Sequence, residues 1–183
     1  MAYEFDIKIE NIVAFIKFEN EIALDKVAKN KDSDLPGVIY NTKDPKASIL
    51  ILPTGKIVCT NIKTVDDAVV ALKKTVDRLA RSGIKLVGDI EMKIENIIAV
   101  TKIANELNLE EISFSLDNCE YNPRKIQGLV CNRDNPRMTI ILFRNGKVLC
   151  THVKTIEDIH QGLSKLKADL EGVGVKVTPV LVE

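Results

Sequence analysis

Two asparagines, Asn11 and Asn96, carry the most informative chemistry in the chain. Each stands in the string Lys-Ile-Glu-Asn-Ile, at 8–12 and again at 93–97, and each is followed two residues on by an aliphatic side chain, Val13 or Ile98. A carboxamide offers two N–H donors and one carbonyl acceptor on a short stem. Held twice on segments rich in Ile and Val, such amides suit a partner surface that presents acceptors without competing donors. The minor groove of an A·T-rich duplex is such a surface, because adenine N3 and thymine O2 accept there and the guanine amino group is missing. A lone strand asparagine has a plainer account as an edge or bulge residue. Its repetition points further.

Other chemistries find little support. Cys59, Cys119, Cys131 and Cys150 include no Cys-x-x-Cys pair, so neither a redox pair nor a zinc knuckle is expected. The two histidines, His152 and His160, both lie in the second half, which argues against a His-based metal site. No Gly-x-Gly-x-x-Gly, P-loop or Ser-His-Asp order occurs. Asp66-Asp67 and Glu110-Glu111 open predicted helices, where negative charge favours the dipole without any catalytic role. The expectation is a protein that is not an enzyme and takes no cofactor or metal.

Charge gives no global signal. The 26 basic and 26 acidic residues cancel, and residues 1–90 carry 14 basic and 13 acidic against 12 and 13 in residues 91–183. Affinity for a polyanion must then come from a locally sorted face. Apolar residues make up 45% and charged residues 28%, the profile of a chain that folds. No apolar run reaches the 18 or so residues of a membrane span, and the first residues lack a basic-then-apolar leader, so an intracellular protein without a membrane partner is expected.

The elements that position the asparagines come in two copies. The spacing of 85 residues at the first string becomes 91 further on: Gly37 matches Gly128, Pro45 matches Pro136, Gly55-Lys56 matches Gly146-Lys147, and Cys59-Thr60 matches Cys150-Thr151. Six residues are therefore inserted in the second copy before Gly128. A unit near 90 residues is too long for an ordinary solenoid repeat, so two copies predict a pseudo-twofold object with residues 1–90 as one repeat and 91–183 as the other.

Each copy predicts a strand (6–18, 91–103), then a short helix with apolar positions Ile22, Val27 and Ala28, or Leu107, Ile112 and Leu116. Three strands joined by tight turns follow, at 38–42, 47–52 and 56–61, and at 129–133, 138–143 and 147–153. Pro45 and Pro136 lie in the first turn of each set, and Gly55 and Gly146 in the second. A long helix closes each copy. Thr64 and Thr155 are its N-caps, Ala68, Leu72, Val76 and Leu79 or Ile159, Leu163, Leu166 and Leu170 its stripe, and Gly83 or Gly172 to Gly174 its end. The fold class is α+β: two tandem pseudo-symmetric repeats in a curved antiparallel sheet, with the helices on one side.

The other side of that sheet is the open question. Residues 49–52 and 140–143 are apolar on both parities, whereas a solvated antiparallel face should alternate. Ile57 and Cys59 point to the helices if Val58 and Thr60 point out, and Val148 and Cys150 oppose Leu149 and Thr151 likewise. Such a face is either an interior or homodimer surface, or a broad recognition surface.

The motifs resemble the TATA-box-binding protein family of archaeal and eukaryotic transcription initiation. The resemblance rests on Glu10-Asn11-Ile12-Val13 and Glu95-Asn96-Ile97-Ile98, on Glu120-Tyr121-Asn122-Pro123 leading to Gly128-Leu129-Val130, and on Leu142-Phe143-x-x-Gly146-Lys147-Val148-x-x-Thr151 with Lys154. Copy one repeats the last as Ile51-Leu52-x-x-Gly55-Lys56-Ile57-Val58-x-Thr60 with Lys63.

The resemblance implies a saddle whose concave face sits on the minor groove of a TATA element and bends it. Asn11 and Asn96 would face the centre, with Val13, Ile98, Val58, Leu149, Thr60 and Thr151 around them. Lys56, Lys63, Lys147 and Lys154, with Arg133, would lie near phosphates. The wedge positions are Leu35, Leu52, Ile126 and Phe143, of which only Phe143 is the family's phenylalanine; leucine and isoleucine also serve as wedges. The implied partners are promoter DNA, transcription factor B and, through it, RNA polymerase. Self-association through the concave face is expected when DNA is absent, and the implied location is the cytoplasm or nucleoid of an archaeon.

The chain departs from the family at several points. Asn41 and Asn132 stand where arginine is usual, and Asn122 and Arg124 replace two acidic residues associated with docking transcription factor B. A saddle that has become a protein-interaction or regulatory module with weak DNA binding is therefore the competing reading.

Overall fold

The computed structural model describes residues 4–28 and 36–181, so the wedge position Leu35 lies outside the described residues. Nine strands and four helices occur among them: β1 (Lys8–Lys17), α1 (Leu24–Val27), β2 (Val38–Lys43), β3 (Lys46–Ile51), β4 (Lys56–Ile62), α2 (Val65–Arg81), β5 (Lys93–Lys102), α3 (Leu109–Ser115), β6 (Cys119–Tyr121), β7 (Leu129–Asp134), β8 (Arg137–Leu142), β9 (Lys147–Val153) and α4 (Ile156–Gly172). The chain divides into two compact units, Asn11–Glu95 and Met1–Glu10 with Asn96–Glu183. The expected α+β class is borne out, and each unit follows the predicted element order apart from the extra strand β6 in the second.

In the first unit the strands run β2-β3-β4-β1, and in the second β5-β9-β8-β7-β6, all neighbours being antiparallel. Side chains alternate across a pleated strand, so each sheet has two faces of different character. Ile49, Ile51, Ile57 and Cys59 are buried on strands that contact α2, and Ile140, Leu142, Val148 and Cys150 on strands that contact α4; Ala14, Ile16 and Ala99 are buried as well. The opposite parity, with Val13, Val58 and Thr60 or Ile98, Leu149 and Thr151, is half-buried and points away from the face that the buried residues share. Apolar residues on both parities thus mark one covered and one open face.

The long helices form where the sequence places them. Thr64 and Thr155 each accept the N–H of the third residue on, Asp67 and Asp158, at 3.1 Å. Each cap satisfies a donor that the first turn leaves unpaired. The two apolar stripes are buried, and Gly83 and Gly174 adopt φ of 76° and 83°, the left-handed cap that glycine takes without steric cost. The short helices are shorter than expected. Ile22 and Leu107 are buried core residues but precede α1 and α3 rather than belonging to them.

The second turn of each strand set is built identically. Leu52 N–H donates to Lys56 O and Phe143 N–H to Lys147 O, both at 2.9 Å. Gly55 and Gly146 take φ of 85° and 74°, and a Cβ on Gly146 would come within 1.9 Å of Ala104 O. No other residue fits there.

Two features depart from expectation. A short strand, β6, pairs with β7, with Cys119 directly opposite Cys131, and the two form a disulfide. The lack of a Cys-x-x-Cys pair does not bear on this bond, which was not foreseen from the sequence; strand register, not sequence spacing, brings these sulfurs together. Second, β4 and β9 each contain a bulge. Ile12 pairs with Ile62 but Ala14 with Cys59, and Ile97 pairs with Val153 but Ala99 with Cys150, so one extra residue sits on β4 and on β9. Asn61 and His152 absorb it at φ of 62° and 57°.

Candidate nucleic-acid interface

A bulge leaves ladder donors without their regular acceptors, and the repeated asparagines supply them. Asn11 Oδ1 accepts from Asn61 N–H at 2.8 Å and from Ile62 N–H at 3.4 Å. Asn96 Oδ1 accepts from Val153 N–H at 3.3 Å. The amide nitrogens turn to the neighbouring hydroxyls: Asn11 Nδ2 lies 3.0 Å from Thr60 Oγ1, and Asn96 Nδ2 lies 3.2 Å from Thr151 Oγ1. Backbone donors can bond only to the carbonyl end, so these partners fix which way each amide is turned. The plain account of a bulge asparagine therefore holds, and it has a chemical consequence. With the carbonyl committed to backbone, what remains for a ligand is N–H.

Around each amide the open face is apolar with isolated hydroxyls. In the first unit the cross-strand row Ile39, Leu50, Val58 and Phe15 runs beside Asn41, Ser48 and Thr60. In the second, Val130, Ile141 and Leu149 run beside Asn132, Thr139 and Thr151, while Val100, opposite Leu149, is buried. Val13 and Ile98 are half-buried on the same parity. All eight sequence-predicted groove residues thus lie on open faces, four in each unit.

The wedge positions sit at strand ends. Leu52 and Phe143 are half-buried and held by the paired turns described above, while Ile126 is 46% exposed in the loop between β6 and β7. Phe143 lines a groove of about 640 Å³ with Tyr121, Pro123, Gln127, Lys147 and Leu149. Arg144 flanks it, bonded to Glu110 and to Tyr121 Oη, the latter at 3.2 Å, and both partners raise the guanidinium pKa.

The cations divide. Lys63, Lys147 and Lys154 are exposed. Lys56 is half-buried, with Nζ 2.9 Å from Glu95 Oε1 and 4.3 Å over the Phe15 ring. Arg133 stands apart from the set: its strand parity is the one facing α4, and its guanidinium pairs with Asp169 of that helix at 2.5 Å. Asn132, one residue earlier, takes the open-face position instead.

Nothing in the described residues resembles a nucleophile or a metal centre. Burial pushes the Cys59 thiol up to about 11 and the Cys150 thiol up to about 12, so neither forms a thiolate near neutrality. No cluster of three His, Cys, Asp or Glu stands together among the described residues, and no described helix is long and apolar enough to cross a membrane.

Comparison with known proteins bears on both sequence and fold. A sequence profile described as "Transcription factor TFIID (or TATA-binding protein, TBP)" matches residues 6–82 and again 91–172. A TATA-box-binding protein of Methanothermobacter thermautotrophicus is 39% identical over 173 residues, covering 91% of this chain and 96% of its own. That of Archaeoglobus fulgidus is 37% identical over 180 residues, covering 94% and 98%. Among solved structures, Methanococcus jannaschii TBP superposes with a TM-score of 0.82 at 32% identity, covering 91% of this chain and 99% of that one. Two profile matches fall on the two internal copies, relatives align end to end, and the fold agrees at an identity high enough to carry more than topology: this chain belongs to the TATA-binding protein family, whose members are not enzymes.

Proposed function

We propose that this protein is a general transcription initiation factor of archaeal type that binds A·T-rich TATA-box DNA through the minor groove and bends it, and that it helps to recruit transcription factor B and RNA polymerase. The observation that carries this reading is that Asn11 and Asn96, on the open parity of β1 and β5, commit their carbonyl oxygens to the bulge backbone and one N–H to the neighbouring threonine, which leaves each amide a second N–H to donate. A minor groove of A·T pairs offers acceptors to such donors, and a G·C pair would bring a guanine amino donor against them. Val13, Val58 and Thr60, with Ile98, Leu149 and Thr151, supply the apolar and hydroxyl contact around them. Lys56, Lys63, Lys147 and Lys154 neutralise phosphates, for which Lys56 must leave Glu95. Transcription factor B and the polymerase enter through family membership, with the Tyr121–Pro123 segment beside Phe143 as the docking region.

A titration of TATA and scrambled duplexes at several salt concentrations tests the reading. Binding should favour TATA, with a slope of log K against log salt of about −3 to −4 for four neutralised phosphates. Equal affinity for the two duplexes would instead favour a protein-interaction module, the reading to which the single retained wedge phenylalanine lends weight. Arg133→Ala provides an internal check. Its partner is Asp169, so the substitution should leave the salt slope unchanged and cost less than about 1 kcal/mol in thermal unfolding. A slope smaller by about one would place Arg133 on a phosphate.

A further inference from the structure

Each open face carries a second amide, held by a hydroxyl in the same way in both units. Ser48 Oγ donates to Asn41 Oδ1 at 2.7 Å, and at the matching place in the second unit Thr139 Oγ1 donates to Asn132 Oδ1 at 3.0 Å. The cross-strand register sets Asn41 opposite Ser48 and Ser48 opposite Thr60, which Asn11 bonds. Asn132, Thr139 and Thr151 align in the same way, and Asn96 bonds the last. Each unit therefore holds a transverse row, amide-hydroxyl-hydroxyl-amide, on an otherwise apolar face. In both outer amides the carbonyl is engaged by the neighbouring hydroxyl and the NH₂ is left toward solvent; both residues are exposed.

We infer that Asn41 and Asn132 are specificity-determining residues that read base-edge acceptors in the groove, extending the pair formed by Asn11 and Asn96. The inference rests on the duplex-binding reading above. A neutral, short amide bonded to a hydroxyl neutralises no phosphate, so it adds nothing to counterion release. What it adds is discrimination, because replacing an A·T pair by G·C puts the guanine amino group against an N–H donor. The hydroxyl partners orient the donors, so Ser48 and Thr139 are positioning residues.

The test is a set of TATA duplexes, each with one A·T pair changed to G·C, titrated against the wild-type protein and the Asn41→Ala/Asn132→Ala variant at two salt concentrations. The variant should lose roughly tenfold of the wild-type penalty at two positions, one per half of the site, with an unchanged salt slope. A second variant, Ser48→Ala/Thr139→Val, keeps both amides but frees them, and should lose a smaller part of the penalty at the same positions. Thermal unfolding of each variant reports whether the fold is kept, and these exposed sites should melt as the wild type does. An unchanged penalty at every position in a folded variant overturns the inference, as does a uniform loss with a shallower slope, the mark of a phosphate contact. A wild-type protein with no preference for the TATA duplex removes the duplex-binding reading itself.

Discussion

Replacing Asn11 and Asn96 together by aspartate is expected to weaken binding to a TATA duplex by about 10²-fold, from two lost donor contacts of roughly 1 to 2 kcal/mol each. The choice of aspartate follows from the geometry. Asn11 Oδ1 receives the N–H groups of Asn61 and Ile62 at the β4 bulge, and Asn96 Oδ1 receives that of Val153 at the β9 bulge. Aspartate keeps an oxygen in that place, so the bulges keep their acceptor. It removes the N–H that faces the partner. Alanine removes both, and the corresponding double variant should bind as poorly while also melting at a lower temperature, since the bulge donors lose their acceptor. Aspartate also adds a charge that phosphates repel, and raising the salt concentration separates the two effects by screening that repulsion. The loss that persists at high salt belongs to the missing donors. An aspartate variant that binds the TATA duplex as the wild type does would show that these amides serve the bulges alone.

The same bulges show what the sequence makes legible. Helix stripes, Thr64 and Thr155 caps, glycine turns and the parity of Ile57 and Cys59 are local signals, each set by residues within a turn or two, and all were readable. The apolar run on both strand parities was readable too, but whether the second face was open or an interior contact was not. What escaped depends on register across the sheet. The bulges leave no mark in composition, because the left-handed residue is Asn61 in one unit and His152 in the other. Nor does spacing reveal that Cys119 faces Cys131, since a separation of 12 residues is compatible with many geometries. Arg133 looked like a phosphate contact because it follows Asn132 by one residue. That single step turns its side chain to the other face of β7, where Asp169 of α4 meets it. The outer amides were visible only as missing arginines; their hydroxyl partners, seven residues away on the next strand, give them a role of their own.

The second large effect concerns the wedges, and here the two units should differ. Phe143 and Leu52 occupy the same turn, each N–H bonded to the lysine carbonyl four residues on at 2.9 Å. Backbone therefore presents both side chains alike, and only their shape differs. A phenyl ring offers a flat face to an unstacked base, whereas leucine offers a rounder and smaller contact. Phe143→Ala should cost about 2 kcal/mol, roughly thirtyfold in affinity, since about that much follows from burying an aromatic side chain. Bending, read as end-to-end energy transfer on a labelled TATA duplex, should fall with it. Phe143→Leu gives the second unit the residue that the first already has, and should reduce the bend without removing it. The reciprocal change, Leu52→Phe, places a ring on a turn already built to hold one, and should tighten binding and increase the bend. If Phe143→Ala leaves the bend unchanged, the wedge is not at this turn, and deformation of the duplex must be assigned to the sheet surface between the turns.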